Sequence, residues 1–484
     1  MKHARSRPGW LPWAAVFFLV AAAQLGLVAV AGTDIPFQDQ WVVEGQWLYP
    51  AWLSGSLGPM DLLRPFNEHR ILWTHLLNLG LFSADGQWDP LVQLVANAGL
   101  RAACATVVAW MLGRNLPDRG RLAVLGVVVM AFLPHLAWHN VLWGFESQVF
   151  FVLGFSLPAL ALLGTENRTK VQTVTGLALG TAALVAMAPG AFVPVLLLGL
   201  SALHLAERRA SFPEWWRESW PALLLLVIAL ALWRTSPTQT ELRATSVGSF
   251  LVPLGRALGW PHVAQPWAAF PLNLPLVVAV CGRLARRRQP VAGEDWVLLL
   301  AGWGVATAVA AAWTRGGGDE FAFGVPSRYV DFLVLLPLAN AWLLVAWVRS
   351  AVPRWRASAR GAAVAWSLFL LIGWLGLSVE VMRRLVLPRA RDRDAPVRLV
   401  QEFQRTGDPA IFAGQPRLLV PHADSSVVLH VLVDPRLRGA LPPSLQPSQP
   451  QGPLSRAVRK LLRREAAPAP LIRPDSSSEE KSGR

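Results

Sequence analysis

The chain has 484 residues, of which 53% are hydrophobic, 24 are tryptophan and only 15% are charged, and its mean hydropathy is +0.38. A soluble chain carries about 25% charged residues, so this composition excludes an ordinary soluble globular protein and describes a polytopic membrane protein. The net charge of +15 does not point to nucleic acid. Most of the arginines fall in short clusters between apolar runs, as in cytoplasmic loops that face anionic lipid. Cys104 and Cys281 both sit inside hydrophobic segments, which leaves neither a disulfide framework nor a Cys-based zinc site.

Lys2, Arg5 and Arg7 precede the first apolar run, Trp10 to Ala31. That run exceeds the roughly 7–15 residues of a signal-peptide core and can cross ~30 Å of hydrocarbon at about 1.5 Å per residue. Although Ala29-Val30-Ala31 satisfies a cleavage rule, an uncleaved first helix is expected, and either outcome puts residue 32 onward outside the cytoplasm. A first outer loop, 32–87, contains a run from Ile71 to Phe82 that is too short to span and reads as an interfacial helix. Further spans are expected over 88–112, 122–138, 147–164, 172–188, 190–206, 219–233, 270–283, 295–313, 330–348 and 361–379, about eleven in all.

Arginine bias orients them. Lys2/Arg5/Arg7, Arg114/Arg119/Arg121, Arg168/Lys170, Arg208/Arg209/Arg217, Arg283/Arg286/Arg287/Arg288 and Arg349/Arg354/Arg356/Arg360 mark the inside. The alternate loops carry fewer: Arg64 and Arg70, then Arg234, Arg243 and Arg256, then Arg315 and Arg328. The N-terminus is therefore expected in the cytoplasm and the C-terminus outside, the Arg-rich tail notwithstanding, because long segments translocate largely regardless of charge.

The expected organisation is a transmembrane domain over 1–383, a small extracytoplasmic unit over 384–445, and a disordered tail over 446–484, rich in Pro, Ser, Gln and charge. No internal repeat is visible, which argues against a transporter built from inverted halves.

The polar residues of this apolar chain gather on the expected outer side. Asp34 and Asp39 are followed by Asn67, Glu68, His69 and Arg70, then by Glu146, Asp319-Glu320, and Arg328-Tyr329 at a helix mouth. Each has an ordinary structural alternative: solvated or capping loop acids for Asp34 and Asp39, a capping and salt-bridge cluster for 67–70, an ion pair for Glu146, snorkelling for Arg328. Together, however, they offer carboxylates for proton transfer and cations for a phosphate oxyanion.

Arg101 falls near the middle of the second span. There it needs either a shifted span boundary or a partner such as Gln93 or Asn97. His135 and His139 stand at i, i+4 without an obvious further metal-ligand set. No Walker loop, HExxH, GxSxG or dinucleotide fingerprint occurs.

This layout, a first helix, an acidic outer loop with an interfacial helix, about ten more helices and an outer tail, resembles the GT-C superfamily of membrane glycosyltransferases. More narrowly, the chain is similar to a largely uncharacterised group of bacterial multi-pass proteins. The matching pieces are Asn67-Glu68-His69-Arg70-Ile71, Leu142-Trp143-Gly144-Phe145-Glu146-Ser147-Gln148, Ser327-Arg328-Tyr329, Asp434-Pro435-Arg436-Leu437-Arg438 and Leu441-Pro442-Pro443-Ser444-Leu445. Where such relatives often carry adjacent first-loop acids, this chain has Asp39-Gln40.

The resemblance implies a GT-C-like α-helical polytopic fold in a bacterial inner membrane. It implies inverting transfer of a sugar from a polyprenyl-phosphate carrier to a glycan, lipid or protein acceptor at the outer face. Asp39, then Asp34, would be the base, with Glu68 or Glu146 orienting it or the sugar. Arg328, with His69 or Arg70, would hold the phosphate, with Asn67 and Tyr329 beside them. The resemblance names no cofactor with certainty, and a divalent metal is compatible with the acids. A transporter or flippase of a lipid-linked or anionic substrate, and a non-catalytic scaffold of polysaccharide assembly, are the alternatives.

Overall fold

The computed structural model describes residues 10–114, 116–207, 211–237, 239–285, 290–322, 324–416, 419–446 and 449–463, and among these every regular element is helical. Lys2, Arg5, Arg7, Arg208, Arg209, Arg286, Arg287 and Arg288 of the expected inside clusters, and 464–484 of the expected tail, lie outside the described residues.

After α1 (Leu11–Ala31) the chain forms a π-helix (Trp41–Leu48) that runs into α2 (Tyr49–Leu53). The short helix expected over Ile71–Phe82 forms as α3 (Leu72–Asp85) and stops at Gly86, whose φ of 72° no β-carbon-bearing residue adopts cheaply. Asp89 caps α4 (Pro90–Gly113) by accepting from the Leu91 N–H, and Pro90 fills the first helical position, where its missing donor costs nothing.

There follow α5 (Asp118–Phe132), α6 (Trp138–Leu142) and α7 (Ser147–Leu163), then α8 (Lys170–Leu184), opened by a Thr169/Gln172 capping box. The series continues through α9 (Phe192–Ala206), α10 (Phe212–Arg234), α11 (Val247–Leu258), α12 (Ala269–Leu284) and α13 (Glu294–Arg315). It closes with α14 (Val330–Leu333), α15 (Leu335–Ser350), α16 (Arg356–Val381), α17 (Leu387–Arg391), α18 (Ala395–Thr406), α19 (Ser425–Val433) and α20 (Pro453–Leu461).

Ten helical stretches among the described residues are long and apolar enough to cross a membrane, making this a multi-pass helical membrane protein. Where an eleventh span was expected, over 172–188, α8 has only 15 residues, a rise of about 22 Å. It packs back along α7, and a β-carbon on Gly176 would come within 2.6 Å of Leu163, the small-residue contact that lets membrane helices approach closely. The main core joins α4, α7, α9, α13 and α15 through residues such as Val108, Phe150, Leu157, Leu300, Trp303 and Leu335. By contrast α16 presents Val364, Leu368, Ile372 and Leu375 outward, the surface a lipid-facing helix offers.

The C-terminal region departs from the expected layout. The last long helix does not stop near 379 but continues through a second π turn (Met382–Val386) into α17. The core of the unit that follows is continuous with that of the first loop. Val397, Val400, Phe403, Val428 and Val431 share one cluster with Trp41, Tyr49, Phe82 and Trp88 from the first loop and its helices.

Beyond 446, where disorder was expected, α20 is ordered because Leu454, Val458 and Leu462 recur every four residues on one face and pack against Leu27, Leu91 and Val386. Arg101 needs no revised boundary. It is buried in α4 and pairs through Nε with Asp331 Oδ1 at 2.9 Å, rather than with Gln93 or Asn97.

Candidate functional site

A cavity of about 340 Å³ opens where the first loop meets the ends of α7, α9 and α13. Of the nine residues singled out from the sequence, Asp39, Asn67, Glu68, His69, Glu146, Arg328 and Tyr329 line it. Asp34 and Arg70 do not.

The first loop brings Asp39 to the wall through a backbone constrained on both sides. Gln38 adopts a left-handed φ of 48° and donates its N–H to Pro421 O at 2.7 Å. Gln40 turns the other way: its side chain accepts from the Phe37 N–H at 3.2 Å and donates to Gln93 Oε1 at 2.6 Å. A side chain at Gly144 would strike the Gln40 and Gln93 amides, so glycine there permits the wall to close. Burial raises the Asp39 carboxyl above the ordinary aspartate range, with His422 and Arg328 pulling it back.

Residues 66–69 form a tight turn in which Phe66 and His69 exchange backbone bonds of 2.8 and 3.0 Å, with Asn67 left-handed at φ 48°. Asn is among the residues that tolerate that conformation, and the turn carries Asn67, Glu68 and His69 to the cavity.

Two arginines sit on its far side. Arg315, from the end of α13, donates to Glu68 Oε1 at 2.6 Å and to Gln239 Oε1 at 2.9 Å, and Gln239 donates in turn to Asn67 Oδ1 at 2.8 Å. Arg328 pairs with Glu320, and its guanidinium carbon lies 5.2 Å from the centre of the Tyr329 ring. Burial, reinforced by Arg315 and Arg328, pushes the His69 imidazole down, opposed by Glu68, so it is a neutral hydrogen-bonding group near pH 7. Glu68 Oε2, His69 Nδ1 and Gln148 Oε1 are buried with no partner among the described residues.

Asp34 lies apart from the cavity. Its carboxylate pairs with Arg459 of α20 at 3.0 Å, and the same guanidinium binds Asp89, a buried charge triad that ties the chain's end to its first loop. Arg70 also faces away, donating to Thr235 Oγ1 at 2.6 Å and to Leu63 O. Among the described residues, the group of three acid and imidazole side chains that lie close enough to share an ion is Glu166, His204 and Asp295, away from the cavity, with Asp295 paired to Arg283 at 2.7 Å and to His204 at 3.2 Å. His135 and His139 form no such group with other ligands among the described residues.

Sequence reasoning missed Arg315 as a site residue, having counted it only as loop charge. It also missed Glu44, which is buried behind the wall and accepts from Trp88 Nε1 and Gln93 Nε2 at 2.8 Å each, Asn78 Nδ2 at 2.9 Å and Tyr49 OH at 3.2 Å. Asp331 was missed too, the buried partner that Arg101 needs inside an apolar run. Searches of protein-family models and of curated proteins found no match to this chain.

Proposed function

We propose that the chain is a GT-C-like, inverting membrane glycosyltransferase that moves a sugar from a polyprenyl-phosphate carrier to an acceptor at the outer face of a bacterial inner membrane. The observation that carries this reading is the meeting of Asp39, Glu68 and Glu146 with Arg328 and Arg315 in one cavity beside apolar helix ends. In this reading α8 supplies an eleventh crossing, the N-terminus is cytoplasmic and the cavity extracytoplasmic.

The acceptor oxygen attacks the anomeric carbon and gives its proton to Asp39, whose raised basicity suits a general base. The bond from that carbon to the carrier phosphate breaks, and its electrons leave on the phosphate oxygen. Arg328 meets the growing negative charge, aided by neutral His69. Attack from the face opposite the leaving group inverts the centre. Glu68, held by Arg315, and Glu146 orient sugar hydroxyls.

The chain is reconstituted with polyprenyl-phosphate sugars and transfer to acceptor is followed. Asp39→Asn is expected to lower transfer by on the order of a hundredfold or more, and Arg328→Ala to do likewise. Normal transfer in Asp39→Asn, Glu68→Gln, Glu146→Gln and Arg328→Ala alike ends the proposal.

A further inference from the structure

Arg328 occupies a 3-10 turn, Ser327–Tyr329, whose local bonds run from the Tyr329 N–H to Pro326 O at 3.0 Å and from the Val330 N–H to Ser327 O. Its own carbonyl is held from another helix. Asp331, three residues on, is buried at 1% exposure, and one of its oxygens, Oδ1, accepts from Arg101 Nε at 2.9 Å. Its other oxygen accepts from Asn140 Nδ2, also at 2.9 Å, and the same Asn140 amide lies 3.2 Å from the Arg328 carbonyl oxygen. Arg101 is itself anchored by donating to Phe132 O at 2.9 Å. Asn97 holds the Asn140 segment by donating to the Asn140 and Trp143 carbonyls at 3.2 and 2.9 Å.

Three helices thus converge on one carboxylate in a setting where each unpaired polar group is costly. A buried pair alone is weak support for stability, since apolar residues of similar shape often serve as well. What the apolar alternative cannot do is hold a backbone carbonyl from the side.

We infer that Asn140, fixed by the Arg101–Asp331 pair, is a positioning residue that sets where Arg328 presents its guanidinium to the anionic group of the ligand. The inference rests on the reading of Arg328 as a phosphate clamp. Loss of the Asn140 amide lets the 327–329 turn drift while the ion pair below remains closed, so the fold survives and the clamp is displaced.

The test is a double-mutant cycle on the full chain in lipid nanodiscs, with a polyprenyl monophosphate as the probe and affinity read by native mass spectrometry. Asn140→Leu is expected to weaken binding about tenfold in the wild-type background and to add nothing in the Arg328→Ala background. Unchanged binding in Asn140→Leu, with a loss in Arg328→Ala, overturns the inference and leaves the clamp standing. Equal losses in both backgrounds also overturn it, because an effect that does not pass through Arg328 is merely structural. Unchanged binding in Arg328→Ala removes the clamp itself and the inference with it. If Asn140→Leu fails to fold, the neutral pair Arg101→Gln with Asp331→Asn takes its place in the same cycle with the same outcomes.

Discussion

Arg328 faces the cavity with its charge already partly answered by Glu320, so an incoming phosphate competes with that carboxylate for the guanidinium. Glu320 therefore sets how tightly the clamp closes on an anion. Glu320→Gln is expected to bind a polyprenyl monophosphate about five- to tenfold more tightly, because a neutral amide competes less well for guanidinium than a carboxylate. Unchanged or weaker binding in a titration would count against that competition.

The same scale shows what single residues reveal in a sequence. Asp39, Glu68 and Glu146 were legible because an acid amid apolar helices has no packing role to hide behind. Asp34 looked the same, yet its partner Arg459 stands 425 positions away, and only folding tells a paired acid from an available one.

The π-helix Trp41–Leu48 is the element on which the wall of the site depends. Its wider turn carries Glu44 inward beneath Asp39, where Gln40, Tyr49, Asn78, Trp88 and Gln93 converge on one carboxylate. Burial pushes the Glu44 carboxyl up to about 7 despite those donors. Between the ordinary value of 4.5 and about 7 the folded chain keeps a proton that the unfolded chain has released. This group's contribution to stability therefore falls as pH rises through that window, by on the order of 3 kcal/mol. His75, buried on α3 and pushed down to about 4, works in the opposite sense up to about pH 6.5, so the wild-type profile alone would blur the effect. The difference between wild type and Glu44→Gln isolates it. The wild-type melting temperature should fall relative to the variant between about pH 5 and pH 8, and a constant difference would dismiss the role given to Glu44. Neither the π-helix nor α20 stood out in the sequence. The first has the composition of a short apolar helix. The second is a one-sided stripe of Leu454, Val458 and Leu462 embedded in Pro- and charge-rich flanks that by composition suggest disorder.

At the level of the whole molecule, orientation is the testable expectation. With Cys281 replaced by Ser, a membrane-impermeant maleimide should label Ser56→Cys, on the cavity side, in intact spheroplasts. Lys170→Cys, at the far end of α7 and α8, should react only after permeabilisation. The reverse pattern would invert the topology and remove the extracytoplasmic site. The sequence by itself determined that the chain is a bundle of membrane helices, where nearly all of them lie, and which short polar segments break the apolar pattern. These are local properties: each segment of about 20 residues must satisfy its own backbone bonds and desolvation in lipid. Only the tertiary structure decided that Asp34 belongs with Arg459 and Arg101 with Asp331, that Arg315 joins the cavity, and that the C-terminal unit shares the first loop's core. A buried charge must find a partner, but which partner depends on the packing that brings distant segments together, and no local pattern records that choice.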